Sequence, residues 1–421
     1  MVRTDSQENE RETSRSRRAL LALLAVLLAV VLSEGLARLA YLGLHHRVYA
    51  RDDVEQLVLR EPELDLPETA ELGIARRRVL HPYLGYSLDH APTMGVGSKV
   101  PPVQRREAGK LLVGVTGGSV AGQVRTVLGE ALRDALRARG STLEPVVIGL
   151  LVSGFKEPQQ LASISWFLSL GAEFDVVVNL DGFNDIVLPY TDNYRVGIFP
   201  FYPRSWNWMV ARRPSQDVLA TAGEIAYLRR RESALVELGS GVLGRSALFG
   251  LFARARLRRD SARIAELQDT LATQDASPSF EAHGPFHPYD SLDDLYADAA
   301  GVWARSSILM HHALLARGSA YVHFLQPNQY VPGTKVLSEN ERRIAYDPGH
   351  PYAAPVIRGY PHLLRAAQEI QADGVHFVDA TRVFEDERGD IYLDDCCHLN
   401  EEGKRLLASF IAVHTLDVLG L

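Results

Sequence analysis

Length, composition and charge set the first limits on what this sequence can be. Its 421 residues suffice for one large α/β domain with an insertion or for two modest domains. A formal charge of −7 gives no basic field that would attract nucleic acid, so we expect no nucleic-acid partner. The two cysteines, Cys396 and Cys397, are adjacent, which excludes a disulfide framework and a zinc site built on cysteines. No motif calls for a metal or another cofactor.

An apolar segment near the N-terminus predicts export. Arginines cluster over 15–18, and an uninterrupted apolar run follows over 19–32. As a helix this run covers only about 21 Å, so it must continue to Leu44 to cross a hydrocarbon core of about 30 Å. Two interpretations stay open: a single-pass anchor with the arginines inside, or a signal peptide cleaved near Ser33-Glu34-Gly35. Either way the remainder faces out, at the membrane or as a secreted or periplasmic protein.

Beyond this segment, 1–44, the chain divides into two predicted parts. Residues 45–107 are polar and proline-bearing, typical of a stalk and lead-in. Residues 108–421 alternate between short apolar runs and amphipathic stretches, which predicts an α/β domain with a mostly parallel sheet between helices. The predicted strands are Leu111–Thr116, Pro145–Leu151, Phe174–Leu180, Ala320–Leu325 and Val375–Val378, with helices at Glu157–Leu170 and Glu401–Leu416.

An insertion of about 187–318 separates the third predicted strand from the fourth. It opens with an aromatic loop, 199–208, and continues into arginine-rich helical sequence. The loop could form a wall of a substrate pocket, enter the membrane interface, or pack the insertion itself. The arginines are typical of a solvated helix face, and binding of anionic polymer or lipid is the alternative.

Polar residues follow the ends of three predicted strands, where an open α/β sheet binds its ligands. Gly117-Gly118-Ser119 ends the first strand, and a serine at the start of a helix there exposes its hydroxyl. Gly154 follows the second strand and can offer a backbone N–H. Asn184 follows the third, where its amide can donate to a developing oxyanion. Taken singly, these residues are equally typical of a helix cap, a turn glycine and an Asx-turn.

A fourth motif precedes the last helix. Asp395 lies three residues before His398, so its carboxylate can accept the Nδ1–H of the imidazole and leave Nε2 to take a serine proton. Gln326 and Asn328 follow the fourth predicted strand at the same sheet edge. We expect both to contact substrate.

The order Ser119, Gly154, Asn184, Asp395-x-x-His398 resembles the SGNH/GDSL hydrolase family. The resemblance covers about 108–416 outside the insertion. It implies a three-layer α/β/α fold, a triad of Ser119, His398 and Asp395, and an oxyanion hole from Ser119, Gly154 and Asn184. One departure is that Gly118 replaces the aspartate of the family's Gly-Asp-Ser block. An α/β-hydrolase is disfavoured because Ala121 stands where the elbow Gly-x-Ser-x-Gly needs glycine.

The sequence therefore predicts an exported serine esterase or acylhydrolase. The expected substrate is an acyl ester, such as an O-acetyl ester, on an envelope glycan or a lipid. Two alternatives remain open: an acyltransferase using the same triad, and a binding protein of polysaccharide assembly that keeps the fold without turnover.

Overall fold

The computed structural model describes residues 5–46, 48–50, 78–88, 100–210, 216–274, 280–285 and 288–421. The chain divides into two compact units. One unit combines Met1–Leu59 with Ala222–Gln268, and the other combines Arg60–Thr221 with Asp269–Leu421. The boundaries predicted at 44 and 107 remain predictions.

The larger unit is built on a five-stranded parallel sheet with the strand order β4-β3-β5-β6-β7. The central strands carry runs of valine and other apolar residues that are buried on both faces, as a sheet covered by helices requires. Its strands are β3 (Lys110–Gly117), β4 (Glu144–Gly149), β5 (Val176–Asp181), β6 (Ala320–Leu325) and β7 (His376–Asp379). Each lies within two residues of a predicted strand.

Helices flank this sheet and bury its apolar side chains. The first and last helices of the unit, α2 and α12, pack against each other, and so do α9 and α11. The predicted α/β class, with a parallel sheet between helices, is confirmed. The helices are α2 (Ser119–Ala138), α3 (Gln159–Ser169), α4 (Phe183–Leu188), α5 (Trp206–Val210), α8 (Phe280–His283), α9 (Leu292–Leu315), α10 (Glu339–Ile344), α11 (Ala353–Ala372) and α12 (Glu401–Leu419).

A short antiparallel hairpin belongs to the same unit. Strands β1 (Arg78–His81) and β2 (Gly85–Leu88) pair from Arg78 with Leu88 to His81 with Gly85. This segment lies within 45–107, which was predicted to be a stalk and a lead-in to the main domain. Its burial identifies it as part of the domain, because Leu84, Tyr86 and Leu88 belong to the main hydrophobic core.

The smaller unit consists of long helices. Helix α1 (Asp5–His45) contains an apolar stretch, Leu21–Leu44, long enough to cross a membrane. Helices α6 (Gln216–Ser240) and α7 (Ala247–Gln274) form an antiparallel hairpin, and most of this hairpin belongs to the unit. Ion pairs from Arg231 to Asp260 and from Arg263 to Glu224 join the two helices.

Candidate active site

Ser119 is the first residue of α2 and follows the carboxyl end of β3 almost directly. The turn depends on Gly117, whose φ is +136°. A Cβ at this position would lie 2.1 Å from the carbonyl oxygen of Leu180 on the neighbouring strand. Only glycine fits there, because the turn needs both a positive φ and this close approach. The turn leaves Ser119 half-buried at the sheet edge.

The Ser119 hydroxyl lies beside His398. The distance from Ser119 Oγ to His398 Nε2 is 3.0 Å, and the opposite ring nitrogen, Nδ1, lies 2.6 Å from Oδ2 of Asp394. His398 and Asp394 are both buried, at 3% and 4% exposure. A carboxylate on Nδ1 fixes the imidazole tautomer in which Nε2 can accept the serine proton. The three side chains therefore form one hydrogen-bonded chain of hydroxyl, imidazole and carboxylate, the arrangement that a nucleophile, base and acid require.

The carboxylate that bonds to His398 is not the one predicted from the sequence. The predicted partner was Asp395, three residues before the histidine, whereas Asp394, four residues before it, makes the bond. The segment is a loop rather than a helical turn. It closes through hydrogen bonds from Leu393 N to His398 O and from Asn400 N to Ile391 O. That closure turns the Asp394 side chain toward the imidazole.

The backbone of this loop is arranged around the Asp394 carboxylate. Oδ1 accepts the N–H groups of Cys396, Cys397 and His398 at 3.0, 3.1 and 3.2 Å. Burial by itself would raise the pKa of Asp394, but the charge of His398 and the hydrogen bonds from His398 and Cys396 hold that pKa below its ordinary value. Asp394 therefore stays ionised next to the imidazole.

The segment after β6 holds this loop in place. Asn328 donates from Nδ2 to the carbonyl oxygen of Cys396 at 2.8 Å, and its Oδ1 accepts from Tyr330 N. Gln329 donates from Nε2 to the carbonyl oxygens of Asp394 and Ala345. Asn328 is completely buried. Its amide nitrogen supports the loop, and its amide oxygen bonds within its own segment. Its role as a substrate contact remains a prediction.

Gln326, the other predicted substrate contact, is also buried, at 3% exposure. Its backbone joins the sheet edge, because its N–H donates to Asp181 O and its carbonyl accepts from the Tyr360 hydroxyl. Within the described residues its side-chain Nε2 has no hydrogen-bond partner. Its role as a substrate contact remains a prediction.

Asn184 approaches the nucleophile from the third loop. Its Nδ2 donates to Phe155 O at 2.8 Å, and a Cβ at Gly118 would lie 2.2 Å from that nitrogen. The amide therefore occupies the space beside the residue that precedes Ser119. A side chain at 118 would therefore require the Asn184 amide to shift.

Asp185 ties the Asn184 loop to the Gly154 loop. Its two carboxyl oxygens accept from Glu157 N at 2.6 Å and from Gly182 N at 3.0 Å. Burial and the nearby charge of Asp181 raise the pKa of Asp185 to about 8. Burial also raises the pKa of Glu157 well above its ordinary value. The carboxyl groups under the two loops are thus held toward their neutral forms.

Gly154 lies in the second loop with a φ of +81°. A Cβ there would meet Arg78 Nη2 at 2.8 Å, the Tyr86 hydroxyl at 3.1 Å and Arg204 Cδ at 3.2 Å. The preceding carbonyl, of Ser153, accepts hydrogen bonds from Arg78 and Tyr86. The β1–β2 hairpin thus supports this loop. The only sequence signal for it was the turn-like Pro82–Gly85 between two short alternating runs.

A buried lysine connects the Gly154 loop with the aromatic loop. Lys156 is completely buried and donates to the carbonyl oxygens of Pro200 and Tyr202 at 2.7 and 2.6 Å. Burial lowers its pKa to about 7. This role of Lys156 was not predicted, since a lone lysine after a strand forms no distinguishing pattern in the sequence.

The aromatic loop packs largely on itself. The ring of Phe199 makes edge-on contacts with Phe201 and Tyr202, with ring centroids 5.4 and 5.6 Å apart, and Tyr202 similarly contacts Trp206. The Trp208 side chain lies outside the described residues. Among the three interpretations of this loop, these contacts favour packing within the insertion.

Cys396 and Cys397 lie buried beside the triad and are not joined in a disulfide. Their sulfur atoms are 2.9 Å apart. Burial raises the pKa of both thiols, so they are held in the protonated form. Together with His398 they place three potential metal-ligand atoms within 4.8 Å of one another. Both nitrogens of His398 are engaged by Asp394 and Ser119, so we assign the histidine to the triad.

A second serine–histidine–aspartate chain runs through the core. His323 contacts Ser307 through Nδ1 and Asp181 through Nε2, both at 2.7 Å, and Trp303 also donates to Asp181. Ser307 and His323 are completely buried. A hydroxyl without access to substrate cannot act as a nucleophile, so this network supports the carboxyl end of β5.

Comparison with known proteins finds little similarity in sequence or structure. No family model and no curated protein matches the sequence. A solved structure with a similar chain path is that of an acetyl xylan esterase. It is 12% identical, the similarity covers 73% of this chain and 98% of that chain, and the TM-score is 0.31.

Proposed function

We propose that this chain is an exported serine hydrolase of the SGNH type that cleaves an acyl ester. The observation that carries the proposal is the hydrogen-bonded chain from Ser119 through His398 to Asp394, at 3.0 and 2.6 Å. Its position at the carboxyl ends of parallel strands is where open α/β sheets bind their ligands.

The proposed reaction follows from these positions. His398 Nε2 accepts the proton of Ser119 as Oγ attacks the ester carbonyl, and Asp394 stabilises the imidazolium that forms. The imidazolium returns the proton to the departing alcohol. Water then gives its proton to Nε2 and attacks the acyl-enzyme, which releases the acid and restores Ser119.

The charge that develops on the carbonyl oxygen needs preorganised donors. We assign the backbone N–H groups of Ser119 and Gly154 and the side-chain amide of Asn184 to this role. Asn184 has two amide hydrogens. One is directed to Phe155 O, and the other is the proposed donor.

We infer the substrate class from the apolar N-terminal helix together with the triad. An exported ester hydrolase meets acyl esters of envelope glycans and lipids, and we propose these esters as its substrates.

The test is covalent labelling by a fluorophosphonate probe. The wild-type chain should be labelled at Ser119 and should hydrolyse p-nitrophenyl acetate. Ser119→Ala should abolish labelling and lower kcat by at least about 10⁴-fold. The matched control is Ser307→Ala, which alters the buried serine of the second chain and should leave the labelled site unchanged. A chain that is folded but never labelled would be the non-catalytic binding protein instead.

A second measurement separates hydrolysis from acyl transfer. Product analysis with added glycerol or a short glycan as acceptor shows whether the acyl group goes to water or to a hydroxyl. Release as free acid supports the proposal, and predominant transfer to the acceptor would make the chain an acyltransferase with the same triad.

A further inference from the structure

The apolar helix carries a charged residue where a simple membrane span would have none. Within Leu21–Leu44 of α1, Glu34 and Arg38 form an ion pair at 2.9 Å. Burying an isolated carboxylate at membrane depth is costly, and such residues are found paired or bonded to other protein groups. The helices of the smaller unit supply those groups.

Glu34 caps the N-terminus of α7. Its carboxylate accepts from the Ser246 hydroxyl at 2.6 Å, from Ala247 N at 2.8 Å and from Leu248 N at 3.3 Å. The first N–H groups of a helix lack partners within it and carry partial positive charge, so a carboxylate there is stabilising. Arg38 adds a bond from Nη2 to Arg245 O.

The contact continues along one face of α1. Ala37 and Tyr41 are buried on the same face as Glu34 and form a small core with Ala247 and Tyr49. The Tyr41 hydroxyl accepts from the buried Arg254 at 2.8 Å. The opposite face of this part of α1 remains exposed and apolar, as at Leu36 and Leu39. The end of the apolar span and the tip of the α6–α7 hairpin therefore form one packed structure.

The hairpin tip is itself apolar and exposed. We call it the tip cluster. It consists of five large side chains that are 48–82% exposed: Leu238, Val242, Leu243, Leu248 and Phe252. In the sequence these residues lie on both sides of 246–248, where Glu34 meets α7.

Two exposed arginines of α7 lie farther from the tip than the buried Arg254. Arg258 and Arg259 are exposed and begin about 15 Å along the helix from Leu248. An apolar patch followed by arginines is the arrangement by which a helix enters the boundary of a bilayer and keeps its cations among the headgroups.

From these contacts we infer that the tip cluster binds the outer face of the lipid bilayer and that α1 is a retained anchor. The hairpin joins α1 at 34–41, about 20–30 Å along the helix from Leu21, so this contact spans about the outermost 10 Å of a hydrocarbon core of about 30 Å. Cleavage near Ser33-Glu34-Gly35 would separate the α7 cap from its helix. None of these residues belongs to the triad, so this inference stands apart from the proposed activity.

The test is photolabelling of the full chain in vesicles of phosphatidylcholine and phosphatidylglycerol that contain a phospholipid with a diazirine in its acyl chain. Peptide mapping should find label in Leu21–Leu44 and in the peptide that spans 238–252. The internal control is Leu219, which is 57% exposed and lies at the opposite end of α6. Its peptide should carry no label.

Variants sharpen the result. Val242→Ser with Phe252→Ser should lower labelling of the 238–252 peptide by about tenfold and leave labelling of the span unchanged, whereas Leu219→Ser should change neither. The labelling pattern of the wild-type chain tests the inference even if a variant fails to fold. Label confined to the span, crosslinks at the tip only between two copies of the chain, or a membrane-extracted protein whose N-terminus begins just after Gly35 would each overturn the inference.

Discussion

At the scale of single residues, the acid of the triad is the point where sequence and structure differ. Two aspartates precede His398, and a three-residue spacing suited to a helical turn favoured Asp395. The choice depends on the path of the loop, which three backbone N–H groups fix around the Asp394 carboxylate. A sequence pattern does not contain that path, so the residue types could be predicted but not the position of the acid.

Asp394→Asn and Asp395→Asn form a matched pair that tests this assignment. We expect Asp394→Asn to lower kcat by about 10⁴-fold, because an amide at Nδ1 favours the wrong imidazole tautomer. Asp395→Asn should cost less than about tenfold, since its neighbour still holds the ring. Steady-state kinetics with p-nitrophenyl acetate measure both values of kcat. A larger loss of kcat in Asp395→Asn than in Asp394→Asn would favour Asp395 as the acid, as predicted from the sequence.

Asn184→Ala tests the oxyanion hole. Removing a donor that acts mainly in the transition state should lower kcat by about 10²- to 10³-fold and change KM much less. Kinetics should be accompanied by the thermal midpoint, because the amide also bonds to Phe155 O. An effect confined to KM would make Asn184 a substrate-binding residue.

At the scale of elements, the strands of the parallel sheet were predicted well, but the hairpin that supports the Gly154 loop was not. Short apolar runs located the five strands of the described parallel sheet. The signal is strongest in β3 and β5, whose burial on both faces leaves continuous valine-rich runs. The β1–β2 hairpin escaped prediction because neither of its short strands, RVLH and GYSL, is a continuous apolar run. Its contribution to the site, through Arg78 and Tyr86, depends on contacts distant in sequence.

The segment after β6 offers a prediction at this scale. Asn328→Ala should lower kcat by about 10-fold or more with little change in KM, because it frees the carbonyl of Cys396 and loosens the loop that aligns Asp394. Gln326→Ala is the matched control from the same segment and bonds to no part of that loop through its side chain in the described structure. A rise in KM in Gln326→Ala would support its predicted contact with substrate.

Partial recovery in Asn328→Gln, which keeps an amide, would indicate alignment of the loop. Equal losses of kcat in Asn328→Ala and Gln326→Ala would instead point to general loosening of the fold.

At the scale of the whole molecule, stability should depend on the buried carboxyl groups of Glu157 and Asp185, which lie in the segments that follow β4 and β5. The pKa of Asp185 is raised from 3.8 to about 8, so its contribution to folding is greatest below about pH 4 and is lost as pH rises toward 8. Lys156, whose pKa is lowered to about 7, alters stability mainly above that pH. The window from about pH 5 to 7 therefore excludes the lysine. Burial lowers the pKa of four histidines that also titrate there, His81, His311, His350 and His376, and a comparison of wild type with Asp185→Asn cancels their contribution.

In that window the wild-type thermal midpoint should fall more steeply with pH than that of Asp185→Asn. A fully buried acid changes the free energy of unfolding by up to about 1.4 kcal/mol per pH unit, which corresponds to roughly 2–4 °C. Asp386→Asn, at an exposed position, is the control and should follow the wild type. Parallel curves for wild type and Asp185→Asn would show that Asp185 is ionised throughout.

The Glu34 cap also decides how this protein can be divided for production. Deleting the apolar segment alone would expose the start of α7 and leave Arg254 buried without the Tyr41 hydroxyl, which invites aggregation. A soluble form should therefore lose both parts together, with a short linker joining residues near 221 and 269 across the antiparallel helices. Two stretches separated by more than 150 residues in the sequence thus have to be kept or removed together.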